Sequence, residues 1–134
     1  MLRVLTKTGK LLLLVLLFCV FTACANRTTK GDGYMNITAL QAKEIMDNES
    51  GYLILDVRTQ HEFDEGHIQN AVLIPDYEIA QRAETELNDK NQLILVYCRS
   101  GRRSKAAAQT LVELGYTNIK EFGGIIDWPY EVVK

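Results

Sequence analysis

Three short apolar runs without a polar interruption, Tyr52–Leu55, Ala71–Ile74 and Leu93–Tyr97, constrain the fold of this chain most. A strand with one face in water alternates apolar and polar residues. A run that does not alternate marks a strand covered on both sides, the situation of a parallel sheet sandwiched between helices. Between the runs the apolar spacing changes to that of a helix, about 3.6 residues per turn. Ala42, Ile45 and Met46 share one helical face, entered through Thr38 and Gln41 as a capping box. Ile79, Ala83 and Leu87 repeat the spacing, with Asp76 placed to cap. Ala107, Leu111 and Leu114 repeat it again ahead of Gly115, a residue suited to ending a helix. Met35–Ile37 and Asn118–Phe122 are further strand candidates, the first at an edge. This alternation predicts an α/β fold of three layers, a mostly parallel central sheet with helices on both faces.

The amino terminus does not fit that pattern. Leu11–Ala23 is apolar apart from Thr22 and follows Arg3, Lys7 and Lys10. Its 13 residues fall short of the roughly 20 that span a bilayer, so a basic segment followed by a short apolar one reads as an export signal. Phe21-Thr22-Ala23-Cys24 resembles a bacterial lipobox, although Phe21 stands where Leu is usual. The expected organisation is a lipoprotein signal peptide over residues 1–23, a lipidated Cys24 and tether over 24–34, and a folded domain over 35–134. The mature protein is then expected to be exported and anchored by lipid to a bacterial membrane, facing the periplasm or the cell exterior. Plain secretion, with a cut near Ala23 or Ala25, is the alternative.

Processing of this kind removes Cys19 and caps Cys24, which leaves Cys98 as the single free thiol. No disulfide can then form within the chain, and no Cys-x-x-Cys or Cys/His cluster suggests a metal site. Removal of Arg3, Lys7 and Lys10 leaves 12 basic against 17 acidic residues, a net charge of −5. An acidic protein of this kind is not expected to bind nucleic acid.

Cys98 closes the run Leu93–Tyr97 and opens the polar turn Arg99-Ser100-Gly101-Arg102-Arg103-Ser104, after which the helical pattern begins. The turn therefore lies at a helix N-terminus, where backbone N–H groups converge on an anion. Four cations, Arg99, Arg102, Arg103 and Lys105, fall within the eight residues 98–105. Cations at a helix N-terminus oppose the helix dipole at about 0.3–1 kcal/mol each. Their presence implies that an anion occupies the loop, either the Cys98 thiolate or a charged substrate. N–H groups and cations lower a thiol pKa below about 8.5, so Cys98 is a candidate nucleophile. A buried structural cysteine, the alternative, has no need of such neighbours.

Cys98-x-x-Gly101-x-Arg103, followed by Ser104-x-x-Ala107, resembles the active-site loop of single-domain rhodaneses, which are sulfurtransferases. Asp56-Val57-Arg58, Glu62-Phe63-x-x-Gly66-His67-Ile68, Ala71-x-x-Ile74-Pro75, Leu114-Gly115-Tyr116 and Gly123-Gly124-x-x-x-Trp128 resemble further family motifs in the family's order. The resemblance covers about residues 35–130. It implies a rhodanese-like fold, a Cys98 persulfide intermediate with no separate cofactor, and substrate contacts from Arg99, Ser100, Gly101, Arg102, Arg103 and Ser104. The partners it implies are a small sulfur-donor anion and a cyanide or thiol acceptor, with a redox or sulfur-acceptor protein as a further possibility; the protein is expected to be a monomer. Asp56, Arg58 and Trp128 are candidate walls of the site. Asp56 and Arg58 also read as loop-organising partners, with Arg58 reaching Glu62, and Trp128 as a core aromatic. His67 reads better as a loop hydrogen-bonder than as an acid or base.

Two rival functions remain. A non-catalytic sulfur-carrier module would use the same cysteine. A Cys-dependent phosphatase or arsenate reductase would use a related cradle, but with five residues between Cys and Arg, whereas four separate Cys98 from Arg103.

Overall fold

The computed structural model describes residues 33–134. The signal segment, Cys24 and the tether up to residue 32 lie outside the described residues. Five strands, β1 (Met35–Asn36), β2 (Leu53–Asp56), β3 (Val72–Leu73), β4 (Ile94–Cys98) and β5 (Ile119–Gly124), form one sheet. Their order is β1-β5-β4-β2-β3 and every pairing is parallel. The helices are α1 (Ala39–Asn48), α2 (Gln60–Glu65), α3 (Ile79–Glu86) and α4 (Arg102–Glu113), with 3-10 turns at Asp76–Glu78 and Ile125–Asp127.

Two apolar layers sandwich the sheet. On one side Leu55, Val57, Ile94, Val96 and Cys98 pack with Ile79, Ala83, Ala107 and Leu111 of α3 and α4. On the other, Ile54, Leu95 and Tyr97 pack with Ala42 and Ile45 of α1 and with Phe122 and Trp128. Alternate residues of β2 and β4 thus enter opposite layers, which is why their sequences are apolar without alternation. The third run behaves differently. Ala71–Ile74 was expected to be buried on both faces, yet β3 is a two-residue edge strand with Val72 36% exposed. Short edge strands are one way a sheet limits edge-to-edge pairing.

Helix ends follow local chemistry in most places. Thr38 and Gln41 form the expected capping box, and Thr59 and Glu62 form a second one on α2. Asp76 does not cap a helix; it opens a 3-10 turn, and α3 starts at Ile79 without a side-chain cap. Gly115 follows α4 with a φ of +91°, as a left-handed helix stop requires. Tyr34, placed in the tether on sequence grounds, packs partly buried against the α3/α4 layer.

The loops after β4 and β2 leave the sheet in opposite directions, the first toward β5 through α4 and the second toward β3 through α2. Adjacent strands whose connections diverge in this way open a crevice at their carboxyl ends, where α/β sheets place ligands. The cysteine loop and the Asp56–Arg58 segment flank that crevice.

Tyr116 ties the helical layer together, since its hydroxyl lies 2.9 Å from the Ala83 carbonyl and 2.7 Å from that of Leu87, at the end of α3. Tyr116→Phe removes the one hydroxyl hydrogen that these carbonyls share, while Ala83 O keeps its bond from Leu87 N, and is expected to cost about 1 kcal/mol, read as a lower denaturant midpoint at unchanged slope.

Candidate active site

β4, whose five residues are all buried, delivers Cys98 to the end of the central strand. Gly101 then takes a φ of +99° and stands at the N-cap of α4 without offering a side-chain cap. The first N–H groups of the helix are therefore unclaimed by a capping side chain and available to the sulfur. Gly101 N donates to Cys98 Sγ at 3.0 Å, and Ser104 Oγ lies 3.4 Å from it. Burial alone pushes the thiol pKa up. The Ser104 hydroxyl and the N–H groups of Ser104, Gly101 and Ser100 outweigh it, and the net direction is down. The dipoles of its own loop thus favour the thiolate form of a cysteine that is only 1% exposed.

The loop keeps this shape because β5 makes room for it. Val96 pairs with Glu121 and Cys98 with Gly124, so two steps along β4 match three along β5. The extra residue is a bulge, and Gly123 within it has a φ of +90°. The bulge brings Gly124 beneath the loop, where a Cβ would lie 2.1 Å from the Arg99 carbonyl oxygen. Gly124 is therefore required by close backbone approach, and Gly123 by its positive φ.

Beneath the loop lies a residue that the sequence reading passed over. Glu121 is 2% exposed, and its Oε1 accepts from Ser104 Oγ at 2.5 Å and from Gly123 N at 2.9 Å. A signal for it exists in the sequence: alternation along β5 sets Glu121 on the same face as Ile119, a charge where an apolar residue belongs.

The cations occupy different places. Arg99 and Arg102 are exposed, as is Ser100, while Gly101 and Ser104 are buried. Ser104 therefore faces the sulfur and Glu121 and not solvent. Arg103 makes a two-point ion pair with Glu62 of α2, at 2.9 and 2.7 Å. That pair holds the Glu62 carboxyl down at about 2, aided against burial by the Thr59 N–H and hydroxyl. Arg103 senses the Cys98 charge as well, but after Glu62.

Glu62 is consequently not the partner of Arg58. Arg58 instead grips Asp56, with Nη2 2.7 Å from Oδ2, and donates to the Gly66 carbonyl at 2.7 Å. Both are buried, so this pair organises the loop after β2. A pocket of about 370 Å³ opens beside the cysteine loop, lined on one side by Ile125, Ile126, Trp128 and Tyr130 and on the other by Arg58, Glu62 and Arg99. Arg58 and Trp128 thus border a cavity, and Asp56 supports Arg58 from behind. Besides lining this pocket, Trp128 packs in the α1 layer with Phe122, as a core aromatic does. His67 stacks on Phe63, its Nδ1 lies 3.0 Å from the Phe63 carbonyl, and its backbone bridges to Val133.

This fold, with a cysteine at the end of a central parallel strand, has counterparts among known proteins. A model of the rhodanese-like domain matches residues 38–129. Thiosulfate sulfurtransferase PspE of Escherichia coli is 39% identical over 80 residues, covering 60% of this chain and 77% of that protein. Thiosulfate sulfurtransferase 18 of Arabidopsis thaliana is 33% identical over 110 residues, covering 72% and 79%. A solved structure described as a rhodanese with anions from E. coli matches with a TM-score of 0.58 at 37% identity, covering 62% of this chain and 98% of the other. The folded part of the chain, with its parallel sheet and its cysteine loop, belongs to the rhodanese-like domain family.

Proposed function

We propose that the protein is a sulfurtransferase that carries a sulfane sulfur on Cys98 from thiosulfate or a persulfide donor to a thiophilic acceptor. The observation that carries this reading is the Cys98 sulfur held in hydrogen bonds from its own loop. A thiolate is the attacking species in sulfur transfer, and the loop's donors favour that form. Its attack on the outer sulfur of thiosulfate forms the Sγ–S bond as the S–S bond of the donor breaks, and sulfite departs with the electron pair. The same N–H groups then face the charge on the persulfide. An acceptor such as cyanide attacks the outer sulfur, leaves as thiocyanate, and returns the electron pair to Cys98. Two half-reactions through one covalent intermediate need no other cofactor.

The exposed Arg99 and Arg102 are suited to drawing in the anionic donor and to meeting the departing sulfite. Arg103, committed to Glu62, clamps the loop to α2. That commitment speaks against the phosphatase reading, which needs this arginine turned toward a tetrahedral oxyanion. Attachment through a lipidated Cys24, with the domain outside the cytoplasm, is part of the same proposal and is supported by the signal pattern of the first 23 residues. Since the acceptor is then external, a thiol or a redox protein in that compartment is the physiological candidate, and the protein acts as a monomer.

Exposure of the protein to thiosulfate should add the mass of one sulfur to the Cys98 peptide, and cyanide should remove it. Cys98→Ser should show neither change. Sulfur gain without turnover in the thiosulfate and cyanide assay would assign the protein to sulfur carriage instead of catalysis.

Because the cradle lowers the Cys98 pKa, the pH profile of Cys98 alkylation should have its midpoint below the ordinary thiol value of about 8.5. The thiolate, and with it sulfur loading, is retained above that midpoint and lost as pH falls through it. Arg103→Gln should move the profile little, since the guanidinium is bound to Glu62 and makes no hydrogen bond to the sulfur.

In a bacterial host, Cys24→Ala should abolish incorporation of labelled fatty acid and block cleavage of the signal segment, read by a shift in gel mobility. Unchanged processing would favour plain secretion.

A further inference from the structure

Glu121 is a buried carboxylate under the catalytic loop that the chemistry above does not use. Burial of a carboxylate is costly unless its oxygens are well bonded. This one is fixed from several sides: Gly123 N donates to Oε1, its own backbone carbonyl accepts from Ile37 N at 2.8 Å, and a Cβ on Gly101 would lie 3.8 Å from Oε1. Its remaining contact is with Ser104, which also faces the reactive sulfur.

The Ser104 hydroxyl has a single hydrogen and four acceptors near it: Cys98 Sγ at 3.4 Å, Gly101 O at 3.1 Å, Gly123 O at 3.4 Å and Glu121 Oε1 at 2.5 Å. One hydrogen cannot serve all four. A short O–H···O⁻ bond of about 2.5–2.7 Å is of the strong, charge-assisted kind, so the carboxylate competes directly with the sulfur for this donor. The backbone N–H groups of the loop have no such alternative and stay on the sulfur.

We infer that Glu121 is a positioning residue for the Cys98 thiolate: its carboxylate draws the Ser104 hydrogen away from the sulfur and keeps the thiolate more basic and more nucleophilic than the N–H cradle alone would leave it. A cradle that only stabilised the thiolate would also blunt it, because nucleophilicity falls with basicity along a Brønsted slope of about 0.4–0.5. The Glu121–Ser104 bond limits that loss. Its use in sulfur transfer rests on the function proposed above, whereas the coupling among the three side chains does not. The other charged groups near the loop are Arg103 of α4, paired with Glu62 of α2; Asp76 of the 3-10 turn, which Arg103 senses; Asp56 of β2, locked to Arg58; and the exposed Arg99, Arg102 and Lys105. None of these touches Glu121 or Ser104 by a hydrogen bond.

The test is the pH profile of alkylation of the full-length protein by iodoacetamide, followed at the Cys98 peptide by mass spectrometry. Glu121→Gln removes the charge at constant shape. Glu121→Asp keeps the charge but withdraws the oxygen from Ser104, and carries the same test should the Gln protein not fold. Both should move the midpoint to lower pH and lower the high-pH plateau; a midpoint one unit lower corresponds to a plateau about threefold lower and a rate below the midpoint about threefold higher. In a Ser104→Ala background the Asp effect should vanish and the Gln effect should shrink to that of a bare charge. A purely structural role, in which the variants loosen the cradle, moves the midpoint the other way and overturns the inference. Unmoved profiles, or shifts that persist undiminished without the Ser104 hydroxyl, overturn it as well. Alkylation uses no sulfur donor, so failure of thiosulfate loading in the wild-type protein would remove the sulfurtransferase reading and leave this coupling standing.

Discussion

A sulfur anion can be buried only where hydrogen-bond donors already point at it, and the rest of this structure follows from meeting that condition. The donors are the N–H groups of Ser100 and Gly101 in the turn and of Ser104 in the first turn of α4, the last left free because Gly101 at the N-cap has no side chain to claim it. Glycine is also the residue that the loop's φ of +99° favours. The helix that supplies the donors is held in turn by Ala107, Ala108 and Leu111 against the sheet, so the chemistry of one atom is anchored in the apolar layer behind it.

The opposite wall of the loop comes from a different strand. Gly124 has no room for a Cβ because the Arg99 carbonyl presses on it, and the bulge that sets it there belongs to β5. Loop and bulge are complementary surfaces contributed by neighbouring strands, and both depend on the β4–β5 register. On the β2 side, the Arg103–Glu62 pair joins the same loop to α2. Three elements thus converge on seven residues of chain, which makes the loop a rigid part of the fold and not an appended segment.

Much of this was legible in the sequence, for identifiable reasons. The unbroken runs of β2 and β4 report burial on both faces directly, and the Thr38 and Gly115 signals mark helix ends because capping and φ > 0 are local requirements. Cys98 was legible because cations at a helix N-terminus contradict the dipole. What could not be read were pairings across the fold. Asp56, Arg58, Glu62 and Arg103 offer two plausible ways to pair, and only the path of α2 decides that Glu62 meets Arg103 and Arg58 meets Asp56. The edge position of β3 was hidden by the apolar run Ala71–Ile74, since run length says nothing of how many neighbours a strand has. Glu121 was overlooked because, next to Lys120, it looks like one of two outward charges in a short strand until its alternation with Ile119 is counted.

The near-complete burial of Cys98 has a consequence for traffic through the site. Cys98 presents almost no sulfur surface, so under the proposed function a donor reaches Sγ with one slender atom. A sulfur added there would lengthen the side chain by about 2.05 Å along the new bond. The loaded form would then expose its transferable atom more than the empty form exposes Sγ, and a narrow donor and a broader acceptor could use one opening in turn.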